Sequence, residues 1–578
     1  MQFKISRTLL KRHPFTFAAV AALLAVLALA IYFPLSTMLL ESLRTVDPQT
    51  GSKGFSFVHF ARFFSLRSPE SLQALSGSLK ISLLSVLLSA LVGVPLAVLF
   101  TRFRFPGQKL FGVLATLPML LPPLVGVIAF FILMDETGIV PRALQHLLAT
   151  ASPPLVMRGV PAILLVHTYS FYVFFYLLTR NALAGLDHAL EEAALGLGAS
   201  RWRLWFGVIL PQLRPALIGA AMLVFMNSMA SFTAPYLFRD DWRFLSLEIY
   251  NAKLKGDLPL AMAQSVVLAS ISIVFVFILR WYGNRHALGR GSKGVAAPAR
   301  VLTGRWQKLA LTVAGSVITL LLMLPQLTLL LMAFVKNGTW TSAILPDTFT
   351  TENFLELFRS RKTAEPWMNS LWMSATATAL GTVMALAAVL VAHRGKRLPP
   401  GTAGLLEISV MLPWAVPGTV IAMALIVAFI TPHWFTAGHT LVGTSAIMVL
   451  AYFVRHLPIQ FRATAAAHAQ LDPALDEAAK NLGAGGWTAF RRVTLPLILP
   501  GVITGTVTAF VIALGEFVSS ILLFTPSNRP LSVAIFSELR DFDLGSVAAY
   551  SILLAVLIGA TLALAQKFQG QQQPGLTP

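Results

Sequence analysis

The chain contains one stretch twice: LDHALEEAALGLGASRWRLWFGVILP at residues 186–211 and LDPALDEAAKNLGAGGWTAFRRVTLP at residues 471–496. The second copy starts 285 positions after the first, and 14 of its 26 positions are identical without a gap. Both copies read Glu-Ala-Ala, three residues, Gly, nine residues, a β-branched residue, one residue, and Leu-Pro. This agreement indicates an internal duplication, so we expect the two halves to share one architecture.

Each copy predicts a short helix, a turn and a second short helix. Asp187 and Asp472 are good N-caps, and carboxylates follow in the first turns, where the positive end of a helix favours them. Gly198 and Gly483 are expected to end the first helix. The small residues before each Gly leave a bare surface that the backbone of another protein could approach closely.

The repeated stretch resembles the EAA motif of ABC importer permeases. In that family the loop is a coupling helix that sits in a groove of a cytoplasmic ATPase, and the resemblance implies the same role here. The residues that match are Glu192, Ala193, Ala194, Gly198 and Pro211 in the first copy and Glu477, Ala478, Ala479, Gly483 and Pro496 in the second. The alternative is an amphipathic loop that only connects two membrane spans.

Composition places the chain in a membrane. Of its 578 residues, 56% are hydrophobic and 12% are charged, against about 25% charged in soluble proteins. The net charge of +20 comes from basic residues at the ends of apolar runs, which suits anionic lipid and excludes nucleic acid as the expected partner. Because the chain has no Cys, disulfides, thiolate metal sites and iron-sulfur clusters are excluded, and we predict no metal site and no cofactor.

Apolar runs long enough to cross ~30 Å of hydrocarbon recur along the chain. The first half has six, at residues 15–40, 81–100, 110–134, 159–179, 215–238 and 258–279. The second half has 309–335, 366–392, 408–430, a weaker run at 440–454, a run at 494–526 broken by one Glu, and 544–566. The first run is longer than the apolar core of a signal peptide, so it is predicted to be an uncleaved span.

These runs predict an all-α polytopic membrane protein of about 12 transmembrane helices, arranged as two parallel six-helix repeats. The first repeat is residues 1–279, a basic linker follows at 280–308, and the second repeat is 309–578. The most basic loops lie on the side of the linker. The positive-inside rule therefore predicts that both termini and both repeated loops are cytoplasmic. The resemblance to ABC importer permeases implies that the membrane is a bacterial inner membrane.

A few polar or helix-breaking residues inside apolar runs are candidates for the transport pathway. Glu516 is a carboxylate in an apolar run, a position that usually has a function, and its counterpart in the first half is Ser231. Pro122 and Pro417 interrupt the third run of each half, and His167 lies in the fourth. The alternatives are that Glu516 only bonds a neighbouring helix, that the prolines only kink their helices, and that His167 and the tyrosines after it are packing residues.

The fused layout resembles the two-in-one permeases of ABC importers for ferric iron, thiamine and 2-aminoethylphosphonate. The resemblance implies a permease that works with two copies of a cytoplasmic ABC ATPase and one periplasmic or lipid-anchored solute-binding protein. The chain has no Walker A sequence and no catalytic constellation, so ATP hydrolysis is expected on a separate subunit. Ferric iron is the first substrate hypothesis, with 2-aminoethylphosphonate, thiamine or a polyamine as alternatives. A secondary transporter or channel is the main rival class, and a membrane enzyme is a third.

Overall fold

The computed structural model describes residues 14–46, 53–285, 300–301, 304–340, 344–392 and 401–570. The first half contains α1 (Pro14–Leu27), α2 (Phe33–Ser42), α3 (Val58–Phe63), α4 (Glu70–Arg102), α5 (Gln108–Leu114), α6 (Pro123–Met134), α7 (Ile139–Leu148), α8 (Gly159–Ala184), α9 (His188–Gly196), α10 (Arg201–Leu204), α11 (Leu210–Met229), α12 (Thr233–Phe238), α13 (Leu245–Leu254) and α14 (Leu258–Arg285). The second half contains α15 (Arg305–Met332), α16 (Glu352–Arg359), α17 (Arg361–Ala392), α18 (Thr402–Ala415), α19 (Gly418–Phe429), α20 (Ser445–Ala469), α21 (Pro473–Asn481), α22 (Gly486–Ala489), α23 (Leu495–Leu514), α24 (Ser520–Leu523), α25 (Leu531–Arg540) and α26 (Leu544–Gly570). The order of long and short helices is the same from α8 and α20 onwards; before them, α1 and α2 correspond to the single α15, and the described part of the second half has no α-helix at the place of α7.

Strands are short in the described part of the chain. β1 (Arg44–Val46) pairs antiparallel with β2 (Lys53–Phe55), and β3 (Phe103–Arg104) pairs parallel with β4 (Arg300–Val301). The second pair attaches the end of the predicted linker to the loop that follows α4. Most of the linker lies outside the described residues, so the proposed division into two domains stays a prediction.

Ten of the described helical segments are long and apolar enough to cross a membrane, and the pair α18 and α19, bent by 108°, adds an eleventh. Helix α20 has 25 residues, enough for a crossing at ~1.5 Å per residue, but charged side chains such as Arg455 and Arg462 make it less apolar. The prediction of an all-α polytopic membrane protein is confirmed.

Both halves break their third and fifth spans within the membrane. The third spans break before α6 and between α18 and α19. The fifth spans end at Met229 and Leu514, and each is followed by a non-helical stretch and a short helix, α12 or α24. The sequence predicted one membrane-crossing run at 215–238, and in the structure its helix ends at Met229. Non-helical backbone at this depth is tolerated where protein buries it or where it lines a cavity.

The first span of each half packs against the other half. Helix α2 lies against α19, and α1 contacts α17 and α18. In the same way α15 lies against α5 and α6 of the first half, and also against α26 of its own half. Each half is thus held to the other by a span that crosses over, and one apolar cluster runs through both halves.

Candidate coupling loops and transport pathway

The two repeated loops fold into the same local structure. Helices α9 and α21 are each capped by the preceding Asp: the carboxylate of Asp187 accepts from the Ala189 N–H at 3.0 Å, and that of Asp472 from the Ala474 N–H at 2.9 Å. Further along, a single π-helical turn joins α10 to α11, at Trp205–Ile209, and α22 to α23, at Phe490–Thr494. The duplication therefore extends to an unusual backbone feature that is often found at functional sites.

The loop glycines are required by backbone conformation. Gly198 has φ +78° and Gly483 has φ +82°, in the left-handed region that costs any other L-residue about 1–2 kcal/mol. A Cβ added at either Gly would meet no other atom within 4 Å. The space above both glycines is open, so a partner could approach the backbone there.

Both loops expose large apolar side chains at matching positions. Leu197 and Leu482 are each 89% exposed, and Trp202 and Trp487 are 75% and 71% exposed. Such residues on a loop mark an interaction surface. The motif carboxylates Glu192 and Glu477 are exposed as well, together with Ala193 and Ala478. Ala479 is buried, Ala194 and Pro211 are half-buried, and Pro496 is exposed.

The two loops differ in how firmly they are held. In the first loop Trp202 and Phe206 stack with ring centroids 5.6 Å apart, and Ser200 caps α10 by accepting from the Arg203 N–H at 3.4 Å. The second loop has Gly485 in place of this serine, and no side chain caps α22. Trp487 and Phe490 of the second loop also contact each other, at 5.5 Å, so the difference between the loops lies in the serine cap of α10.

The breaks in the two fifth spans share one scaffold. The Ser246 hydroxyl on α13 donates to the carbonyl oxygen of Ser231 at 2.5 Å, and the Ser532 hydroxyl on α25 donates to that of Glu516 at 2.8 Å. Ser231 and Glu516 therefore occupy equivalent places in the two halves, with different side chains.

In the first half the break is surrounded by neutral polar groups. His167 is buried, and its Nε2 lies 2.8 Å from the Ser231 hydroxyl. Its Nδ1 lies 2.9 Å from the Ser85 hydroxyl and 3.1 Å from that of Ser228. This set of hydrogen bonds joins α4, α8 and α11 at the break.

In the second half the break carries an ion pair. Arg455 on α20 donates from Nε to Glu516 Oε2 at 2.7 Å, and the Ser519 N–H donates to Oε1 at 3.0 Å. The Glu516 side chain is 6% exposed and that of Arg455 is 23% exposed. His456 Nε2 lies 3.8 Å from the same carboxylate. Sequence analysis missed Arg455 because the predicted run at 440–454 stops one residue before it. The available signal was that a basic residue, Arg455, follows an apolar run in the same half as Glu516.

The breaks in the third spans lie beside these groups. Pro122 precedes α6 and stands so close to Gly515 that a Cβ on this Gly would lie 2.7 Å from the Cβ of Pro122. Pro417 precedes α19, and a Cβ on the next residue, Gly418, would lie 3.0 Å from the guanidinium carbon of Arg455. Pro122 is thus brought to the fifth span of the opposite half, and Pro417 to the ion pair.

The halves meet at an equivalent pair of aromatic rings. Phe232 follows Ser231, Phe517 follows Glu516, and the two ring centroids are 5.9 Å apart. Tyr236 and Phe536 also cross between the halves at 4.9 Å, and Tyr250 contacts Phe232 at 5.2 Å. Together these five side chains, named the aromatic closure from here on, fill the space between the two breaks.

The tyrosines after His167 are packing residues. Tyr172 and Tyr176 are buried and donate to the backbone carbonyls of Ala115 and Gly112 at 2.7 and 2.9 Å. Among the described residues there is no group of three or more His, Asp or Glu side chains that could hold a metal ion.

Comparison with known proteins finds one match to the same family in each half of the chain. The family described as "Binding-protein-dependent transport system inner membrane component" matches residues 89–286 and 377–570. A probable ABC transporter permease of Sinorhizobium fredii is 25% identical over 82% of this chain and 83% of its own length. A ferric transport system permease of Actinobacillus pleuropneumoniae is 26% identical over 85% and 70%. A molybdenum transport system permease of Escherichia coli is 36% identical over 38% of this chain and 96% of its own length.

Proposed function

Because the chain belongs to the family of binding-protein-dependent transport system inner membrane components, which it matches in both halves, we propose that it is the complete transmembrane part of an ABC importer. The ABC permease resemblance seen in the sequence is confirmed. The molybdenum permease aligns over nearly all its length with less than half of this chain, so one half corresponds to a whole separate permease.

The observation that carries the proposal is the pair of matched loops. Both present an exposed Leu and Trp, an exposed Glu, and a Gly with free space above it. Each loop would bind in the groove of one copy of a cytoplasmic ABC ATPase. Two loops in one chain then serve two ATPase copies. The basic loops on the same side support cytoplasmic placement of both loops and both termini.

The pathway is assigned to the centre, where the two halves meet. The aromatic closure blocks it in this conformation, and closure of the ATPase pair would separate Phe232 from Phe517 through α11 and α23. Glu516, Ser231 and His167 lie at or beside the broken segments, and Pro122 and Pro417 start the adjacent helices. An external solute-binding protein would deliver the solute to the opposite side, as the family description implies.

Ferric iron is the proposed solute. Its support is that relatives spanning both halves are named as ferric transport permeases. Molybdate is a second candidate because a molybdenum permease has the higher identity, although over a smaller part of this chain. The site itself contains one carboxylate and one guanidinium, so its charge favours neither a cation nor an oxyanion.

The proposal is tested by affinity purification of the tagged chain followed by uptake measurements. We expect an ABC ATPase to copurify with the chain, and we expect deletion of the gene to abolish uptake of labelled ferric iron. Unlabelled molybdate, 2-aminoethylphosphonate, thiamine and polyamines serve as competitors. If no ATPase copurifies and ATP does not support uptake, a secondary transporter replaces the importer. If the ATPase copurifies but iron uptake is unchanged, only the substrate is wrong.

A further inference from the structure

An ion pair outside the repeated motif attaches the first coupling loop to the membrane spans. We propose that Arg102, the last residue of α4, and Glu191 of α9 transmit the movement of this loop to α4, and so are positioning residues for transport. The inference rests on the coupling role proposed above.

The geometry of this pair is that of a strong contact. Arg102 donates from Nη2 to Glu191 Oε1 at 2.5 Å and from Nη1 to Oε2 at 3.2 Å, which makes a two-point guanidinium–carboxylate bond. The two side chains are 13% and 12% exposed. Water and salt therefore screen this pair much less than an exposed pair, and its two bonds fix orientation as well as distance.

Helix α9 has few other attachments to the spans. None of its residues is fully buried. Ala194 is its one member of a small apolar cluster that also contains Val98 of α4. The rest of the loop packs more firmly, since Leu204 and Ile209 are buried in this cluster with Leu213 of α11. For α9 itself, the ion pair is the strong contact that fixes its position against the end of α4.

The two adjacent carboxylates of α9 face different surroundings. Glu191 is 12% exposed and bound to Arg102, whereas Glu192, the motif residue, is 69% exposed and lies 3.3 Å from His188. Glu192 is thus available to a partner protein, and Glu191 is committed to the permease itself. A movement imposed on one is carried to the other within a single helical turn.

Helix α4 can carry this movement to the pathway. It is continuous over 33 residues, about 50 Å at ~1.5 Å per residue. Ser85 in its middle belongs to the hydrogen-bonded set around His167. Nearer its other end, the Ser78 hydroxyl accepts from the Leu245 N–H of α13 at 2.9 Å. A displacement of Arg102 therefore reaches both the break at Ser231 and the short helix beyond it.

The second half has the same charges at the corresponding sequence positions. The Ser370 hydroxyl accepts from the Leu531 N–H at 2.7 Å, as Ser78 does from Leu245, so these serines correspond. Arg394 follows Ser370 by 24 residues, as Arg102 follows Ser78, and Asp476 aligns with Glu191 in the gap-free repeat. Arg394 lies outside the described residues, so this correspondence is one of sequence alone.

The absence of Cys from the chain allows a test that needs no knowledge of the solute. Cysteines replacing Phe232 and Phe517 are joined by a bifunctional maleimide in the membrane-bound complex with its ATPase, with and without ATP. With Arg102 and Glu191 intact, we expect ATP to change the cross-linking yield by at least about threefold. In Arg102→Ala and Glu191→Gln we expect no ATP effect, although the ATPase remains bound.

Exchanging the charges of Arg102 and Glu191 distinguishes a loss of coupling from a loss of folding. The double variant Arg102→Glu with Glu191→Arg should recover the ATP effect, because the pair is restored with opposite polarity. Arg104→Ala, which removes an exposed charge two residues further on, is the control and should behave like the parent. An ATP effect that persists in both single variants, or an exchange variant no better than they are, overturns the inference. If even the parent binds no ATPase, the proposed function fails first.

Discussion

The two broken fifth spans have the same backbone and different chemistry. A serine hydroxyl from the following short helix holds each break in the same way. Around Ser231 the neighbours are His167 and two serines, all neutral hydrogen-bonding groups, whereas Glu516 has Arg455. Duplication has thus preserved the backbone of the two breaks, while the polar groups beside them have diverged.

The divergence involves three positions that act together. In the register of the repeated loops, Ser231 corresponds to Glu516 and Ser170 to Arg455; alignment of the Leu-Pro pairs in the third runs, Leu117-Pro118 with Leu412-Pro413, pairs Pro123 with Gly418. A carboxylate at this depth is costly without a partner, and a Cβ at residue 418 would lie only 3.0 Å from the guanidinium that supplies one. The glycine at residue 418 therefore gives the ion pair room, whereas the neutral break has no guanidinium to accommodate.

The largest effect on uptake is expected where the halves are most alike. Gly198→Val and Gly483→Val place a β-branched residue at positive φ and a bulky group on the proposed docking surface. We expect each to reduce uptake by at least about tenfold, the equivalent of ~1.4 kcal/mol, with normal amounts of protein in the membrane. Gly196→Ala, at a helical position with open space, is the matched control. Normal uptake in both valine variants would remove the coupling assignment.

The ion pair should dominate the stability of the second break. Arg455→Met leaves the buried Glu516 carboxylate without its cation, at an expected cost of about 3–5 kcal/mol. Adding Glu516→Gln should recover most of that loss, because the uncompensated charge is removed. His167→Ala in the first half should cost only about 1–3 kcal/mol, since neutral hydrogen bonds are lost. Thermal unfolding of the purified protein in detergent measures the stability of all three variants. Equal losses of stability in Arg455→Met and His167→Ala would contradict the proposed difference between the breaks.

The difference in charge should also appear in transport. Glu516→Gln preserves shape and removes the charge, and we expect uptake to fall by about tenfold while the ATPase stays bound. Ser231→Ala at the corresponding position should lower uptake by less than about threefold, because one neutral hydrogen bond is lost. If Glu516→Gln is fully active, the ion pair only joins two helices.

A smaller contrast is expected at Glu538 on α25. It follows Ser532 by six residues, as Ala252 follows the equivalent Ser246 on α13. Burial raises the pKa of this carboxyl, and the nearby Asp543 and Asp541 add to the effect. The folded protein therefore favours the protonated form, and its stability rises as pH falls through the raised pKa. Glu538→Gln should raise the thermal midpoint near neutral pH, and this gain should shrink in acid. The exposed Glu407→Gln is the control.

Sequence reasoning predicted the helical fold of the two repeated loops and the spans because both depend on local pattern. The Asp caps and the loop glycines lie where the helix-end rules require them. It also paired Ser231 with Glu516 through the register of the repeat. These features follow from helix geometry and apolar length, which a single sequence records directly.

The features that were missed depend on contacts between distant segments. Arg455 follows a weakly apolar run, and only packing brings it to Glu516. The approach of Pro122 to Gly515 and of Phe232 to Phe517 joins opposite halves, which no local pattern encodes. The bond between Arg102 and Glu191 also spans 89 positions. Such partners cannot be chosen from spacing when many charges are available on the same side of the membrane.

The exchange of first spans between the halves has a consequence for biosynthesis. Helix α2 is packed against α19, which is translated only after the whole first half has entered the bilayer. The earliest span to be inserted can pack against α14 of its own half, but it meets α19 only after the second half has been made. In separate subunits this step would require a bimolecular encounter, whereas in one chain the tether supplies a millimolar-range effective concentration, on the order of that of other short linkers. Covalent fusion thus makes assembly of the two halves independent of how much protein the cell produces.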